Sequence, residues 1–171
     1  MLECTKGWGR LAGAFAEASV AANAYRGELL GLMAVHLLLL VVETVSPGLS
    51  VSAAINSDCI GALGRVAKLP PYRIPSQCRH SDILKTIMVN CASLSFHREY
   101  HHVAVHQDNH TRWEDLTRAA QLNSACDAGA KAILRSQDVI NLPPQEAFPL
   151  EPIRMFVEGK KMTSDTGAHI Q

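Results

Sequence analysis

Fourteen consecutive residues, Leu29 to Val42 ("LLGLMAVHLLLLVV"), carry no formal charge and stand between Glu28 and Glu43. A bilayer-spanning helix needs about 20 apolar residues, so this shorter run predicts a helix inside a protein core, with a signal anchor as the lesser alternative. Because the run is apolar almost all round, the helix must be covered on several sides, which demands a layered fold rather than a single amphipathic contact. Asn23 has the side chain of a helix N-cap, and Pro47 with Gly48 forms a stop, which predicts a helix from about Ala24 to Thr44. His36 lies inside it and reads as a hydrogen-bonded core histidine.

The covering elements follow along the chain. "VSAAINSD", Val51 to Asp58, reads as a short buried strand ending on a carboxylate, and "CIGALGRV" continues with apolar residues at helical spacing. "LPPYRIPSQ", Leu69 to Gln77, is irregular because three prolines interrupt it. Ser81 is the predicted cap of a helix to about Val89, with Ile83, Leu84, Ile87 and Met88 inward. Leu94 to Val105 has the aromatic and β-branched content of a strand and leads into "HQDNHTRWED" as a loop. A last helix, Ala119 to Arg135, presents Ala119, Leu122, Cys126, Ala130 and Ile133 on one face. The first 22 residues allow one short strand, and four prolines beyond Val139 leave room only for a small hairpin in "MFVEGKKMTSD". The order helix, strand, helix, helix, strand, helix describes an α/β domain with a mostly parallel half-sheet, whose sites fall at the carboxyl ends of the strands.

Composition agrees with a folded domain: 47 % of the 171 residues are hydrophobic and 19 % charged, which excludes a disordered chain and a multi-span membrane protein. A formal net charge of zero removes any global attraction to nucleic acid. Locally, however, Arg65, Lys68, Arg73, Arg79 and Lys85 face a single acid, Asp82, a balance of +4. Five widely spaced cysteines without a leader-like start fit a reducing compartment, so the chain reads as intracellular, cytoplasmic or nuclear, and not secreted. Cys59, Cys91 and Cys126 read as small core residues.

Three acids adjoin apolar elements: Glu28 in the first helix, Asp58 at a strand end, and Asp127 one turn after Asn123 on the last helix. Each alone reads as a cap or a solvated group. Together, in this order of elements, they are candidates for a shared hard cation such as Mg²⁺. The stretch "HHVAVHQDNH", residues 101 to 110, holds four histidines and suggests zinc, with Cys78, His80, Cys91, His97, His101, His102, His106 and His110 as possible ligands. His97 with His101, His102 with His106 and His106 with His110 have a zinc-like spacing; the cysteines are too scattered for the usual C-x₂₋₄-C half. Neighbouring strand residues also point to opposite faces, which separates His101 from His102. Trp113 and Tyr72 read as packing over loops rather than stacking on bases.

"YRGELLGLMA", "INSDCIGAL", "HVAVHQD" and "LNSACDAGAKA" resemble, in order and spacing, the successive motifs of the ribonuclease H domain of retrotransposon reverse-transcriptase polyproteins, over roughly Ala22 to Ser136. The resemblance implies a mixed sheet flanked by helices at 23–138, a truncated strand region at 1–22, and a Pro-rich tail or linker at 139–171. It further implies Glu28, Asp58 and Asp127 as Mg²⁺ (or Mn²⁺) ligands and His106 as the loop histidine that assists proton transfer or product release. The corresponding activity is two-metal hydrolysis of RNA in an RNA–DNA hybrid. Arg65, Lys68, Arg73, Arg79 and Lys85 fall where such domains grip their substrate, so nucleic acid is the implied partner, together with other polyprotein domains and no membrane. Two features depart from the pattern. The family opens with strands carrying a further metal-binding aspartate, whereas no Asp precedes Asp58, and Ala104 stands where a Lys or Arg is expected. An amino-truncated copy with impaired cleavage follows, or else a non-catalytic binding or connection module.

Overall fold

The computed structural model describes residues 1–6, 9–13, 23–49, 52–69, 74, 75, 77–135, 148–151 and 154–163. Tyr72 and Arg73 lie outside them. In chain order the elements are β1 (Leu2–Glu3), β2 (Arg10–Leu11), α1 (Ala24–Val45), β3 (Ser52–Ser57), α2 (Ile60–Ala67), α3 (Ser81–Ser93), β4 (His97–His102), α4 (Arg118–Arg135), β5 (Phe156–Val157) and β6 (Lys160–Lys161). Single 3-10 turns at Gln107–Asn109 and Trp113–Asp115 join β4 to α4. The protein is thus mixed α/β, with four helices and small sheets among the described residues.

The central pair is β3 beside β4, parallel and in register from Ser52 opposite His97 to Ser57 opposite His102. Val103 N donates to Ser57 O at 3.0 Å, so both strands end at the same level. α1 begins where expected: Asn23 Oδ1 accepts from Arg26 N at 2.9 Å. With 22 residues, the helix is long and apolar enough to cross a membrane by length and composition alone, and 33 % of its most apolar window is buried within the protein. Leu29, Leu30, Leu32, Met33 and Leu39 are buried, chiefly against α3, where Ile83, Leu84 and Ile87 meet them. Each such aliphatic side chain contributes roughly 1.5–3 kcal/mol on burial. His36, expected as a core histidine, is fully buried; its Nδ1 donates to Leu32 O at 2.7 Å and Nε2 accepts from Tyr100 Oη at 2.9 Å.

Several elements differ from the sequence-based expectation. Ser81 does not cap α3. His80 holds the cap position with φ 57°, while Ser81 N donates to Thr163 O at 2.8 Å and its hydroxyl to the same oxygen at 3.3 Å. The carbonyl of a distant segment has claimed the hydroxyl that a cap would use. α3 also runs to Ser93, beyond Val89, and β4 is shorter than the Leu94–Val105 stretch. The N-terminal region holds two paired two-residue strands where one was expected.

The largest departure concerns α4. Only Ala120 on it is fully buried, against Val103 and Leu116. Ala119, Leu122 and Ile133 are half-buried, and Cys126 and Ala130 are exposed, so Cys126 is not a core residue. Periodicity put these residues on one face, but a two-stranded sheet is too narrow to cover the whole face. Cys59 and Cys91, by contrast, do pack at the edge of the core. Trp113, expected to pack over a loop, is 52 % exposed.

The described part of the C-terminal region docks on the helices. β5 and β6 form the small antiparallel hairpin, and Phe148 is buried in the main core. Arg26, fully buried near the start of α1, meets Asp82 in the first turn of α3 through two hydrogen bonds of 3.0 and 2.8 Å. Lys161 on β6 stands 3.7 Å from Asp82 and 2.8 Å from Glu151, with its ammonium 3.9 Å from the Phe148 ring centre. A buried charge is tolerated only with such partners.

Candidate functional site

The level ends of β3 and β4 form a carboxyl edge, to which α1 and α4 add side chains. Ser57, nearly buried, donates from Oγ to Glu28 Oε2 at 3.2 Å and accepts from Cys59 N at 3.1 Å. The serine hydroxyl therefore orients Glu28 toward the strand end. Asp58 is the next residue; its Oδ2 accepts from Asn123 Nδ2 of α4 at 3.1 Å, and its backbone carbonyl accepts from His102 Nε2 at 3.1 Å. One turn along α4, Asp127 Oδ2 accepts from Lys131 Nζ at 2.9 Å and stands 4.0 Å from His106 Nδ1. His106 occupies a left-handed conformation, φ 52°, which ends the strand exit and starts the following turn.

Electrostatics shows that these acids feel one another. The Glu28 carboxyl is pushed above the usual carboxylate range, first by burial and then by the negative charge of Asp58. The Ser57 hydrogen bond pulls the other way, and Asp127 adds a smaller upward push. Carboxylates repelling one another at a polar edge are a demand for positive charge, and their oxygens suit a hard cation. Among the described residues, however, no three His, Cys, Asp or Glu side chains stand close enough together to hold a metal ion. The acids face one edge without forming a closed cage.

The possible zinc ligands have separate partners. His97 and His101 both turn to Glu99, at 3.3 and 3.2 Å, and His102 turns to Asp58 O. His80 lies 3.3 Å from Arg26, Cys78 accepts a bond from Arg65, and Cys91 lies 4.0 Å from Tyr100 Oη.

Of the basic residues, Arg65 in the last turn of α2, Lys68 just after it and Arg79 before α3 line one cleft of about 750 Å³. Lys85, half-buried on α3, does not line it, and Arg73 is outside the described residues. Sequence reasoning missed Ser57 as a site residue, offered His102 only as a possible zinc ligand, and missed Arg26 altogether. The Asn123–Asp127 spacing of one turn was the available signal for Asn123, and an arginine inside the same helix, just before the uncharged run that must be buried, was the signal for Arg26. Comparison with protein-family models, with curated proteins and with solved structures finds no match to this chain.

Proposed function

We propose that the chain is an intracellular nucleic-acid-binding domain of the ribonuclease H type, taken from a retroelement polyprotein, with an incomplete centre for cleaving RNA in RNA–DNA hybrids. Glu28, Asp58 and Asp127, which this structure does not bring close enough to ligate one ion, would have to draw together to hold Mg²⁺, or Mn²⁺, and His106 would serve proton transfer. Bound there, such an ion would supply an activated water and stabilise the leaving oxygen. The observation that supports this reading is the arrival of three carboxylates from three separate elements at the carboxyl edge of a parallel strand pair, with Glu28 feeling both of the others. Ser57 and Asn123 act as positioning residues by fixing the Glu28 and Asp58 oxygens. No aspartate precedes Asp58 among these residues, so the chain by itself is expected to cleave weakly or not at all.

A non-catalytic binding or connection module is the second reading, and one observation favours it: Lys131 already neutralises Asp127 at 2.9 Å. The test is incubation of the purified chain with a labelled RNA–DNA hybrid in Mg²⁺ or Mn²⁺, with binding followed in parallel as salt is raised. Salt-sensitive binding with little cleavage is expected. Robust cleavage abolished by Asp58→Asn would contradict the incomplete centre, and no binding at low salt would contradict both readings.

A further inference from the structure

The cleft beside α2 has a composition of its own. Three cations, Arg65, Lys68 and Arg79, line it, and no Asp or Glu does so among the described residues. None of the three is in an ion pair with a described carboxylate, so their charge acts on whatever enters the cleft. The one aromatic ring on the described lining is Tyr25, 37 % exposed, which leans on the His80 ring at a centroid distance of 5.8 Å. The α2 wall is kept bare by Gly61 and Gly64. A Cβ on Gly61 would stand 3.5 Å from Tyr25 Cε2, whereas a Cβ on Gly64 would meet nothing within 4 Å. A volume of about 750 Å³ is well beyond a lone phosphate and falls inside the range of sites for small organic ligands, roughly 300–1,000 Å³.

We propose that this cleft binds a nucleotide unit, its phosphate held by Arg65, Lys68 and Arg79 and its base lying against Tyr25. Guanidinium groups recognise phosphate through paired hydrogen bonds, and a tyrosine face accepts any base. The inference deepens the nucleic-acid reading and rests on it for the source of the ligand, either the end of a strand or a free nucleotide. It does not depend on the carboxylates at the strand edge.

Gly64→Leu provides the sharpest test, because it puts an aliphatic side chain on the bare α2 wall of the cleft without removing any of the three charges. Replacing a helical glycine by leucine is itself favourable to the helix, so loss of binding without loss of thermal stability isolates the cleft. Adenosine monophosphate, inorganic phosphate and a labelled single-stranded oligonucleotide of about 12 units are titrated against the full chain. Adenosine monophosphate is expected to bind about tenfold or more tightly than inorganic phosphate, the increment one stacked base gives. Tyr25→Leu removes that increment and leaves phosphate binding, Arg79→Ala weakens both ligands, and Gly64→Leu abolishes both. Competition between the oligonucleotide and adenosine monophosphate supports a strand end as the ligand; nucleotide binding without oligonucleotide binding supports a free nucleotide and sinks the nucleic-acid reading. Oligonucleotide binding that Gly64→Leu leaves intact, with no binding of adenosine monophosphate, overturns the cleft proposal and spares that reading. Equal affinity for inorganic phosphate and adenosine monophosphate also overturns it.

Discussion

Replacing Arg26 with methionine removes one half of an ion pair whose side chains are 1 % and 3 % exposed. The two charges were desolvated in folding, so the partner left behind keeps its desolvation cost without the compensating attraction; breaking such a pair costs about 3–5 kcal/mol. The structure makes the two halves unequal. After Arg26→Met, Asp82 still has Lys161 at 3.7 Å, which sets the loss near the lower figure, about 3 kcal/mol. After Asp82→Asn, Lys161 keeps Glu151 at 2.8 Å while the fully buried Arg26 loses its doubly hydrogen-bonded carboxylate, which sets the loss above that of Arg26→Met, within about 3–5 kcal/mol. For a chain of this size the smaller loss corresponds to a melting temperature lower by about 6–12 °C. Because Arg26 is two residues before Glu28, the same change loosens the start of α1 that carries this acid. Urea unfolding of the two single variants and of Arg26→Met combined with Asp82→Asn measures the coupling. The double change should cost at least about 1 kcal/mol less than the sum of the single changes. Single losses below about 1 kcal/mol, or strict additivity, would refute a buried, mutually dependent pair.

Other perturbations follow from the same physics. Burial and the Asp58 charge raise the Glu28 pKa, so its ionised form disfavours the folded state above the ordinary carboxylate range; Glu28→Gln should raise stability at neutral pH by about 0.5–2 kcal/mol in chelator, and a drop in the urea midpoint would contradict this. Burial lowers the His36 pKa, so the unfolded chain takes up that proton first, and stability present above about 6.5 is lost as pH falls toward the lowered value. The stability difference between the native chain and His36→Gln should therefore shrink from about pH 7 to pH 5, and a constant difference would refute the assignment. Asn90 is fully buried with neither side-chain polar atom bonded; Asn90→Leu should stabilise by about 1–3 kcal/mol in thermal unfolding, and a loss would show that the amide has a partner.

Much of the frame was legible because it depends on local rules. The uncharged run from Leu29 needs cover, Asn23 can cap, and an acid that follows a strand must fall at its carboxyl end, which is how Glu28 and Asp58 come to share an edge, although β3, expected to be buried, buries only Ile55 and Ser57. What was hidden depends on contacts far apart in the chain. Nothing near Ser81 announces that the Thr163 carbonyl will take its hydroxyl, and nothing near Asp82 announces Arg26 on one side and Lys161 on the other. Helical spacing along α4 tells which residues share a face but not how wide a sheet lies below, so Cys126 was assigned to a core that does not reach it. In the basic stretch, the four described residues separate in space: Arg65, Lys68 and Arg79 line one cleft, and Lys85 does not.

Manganese binding to the intact chain, read by the enhancement of water-proton relaxation, tests most directly whether the edge acids act as one cation site. Weak binding to the native chain, lost in Asp58→Asn and in Glu28→Gln but kept in His97→Ala, is predicted. Binding unchanged by both acid substitutions would contradict the account.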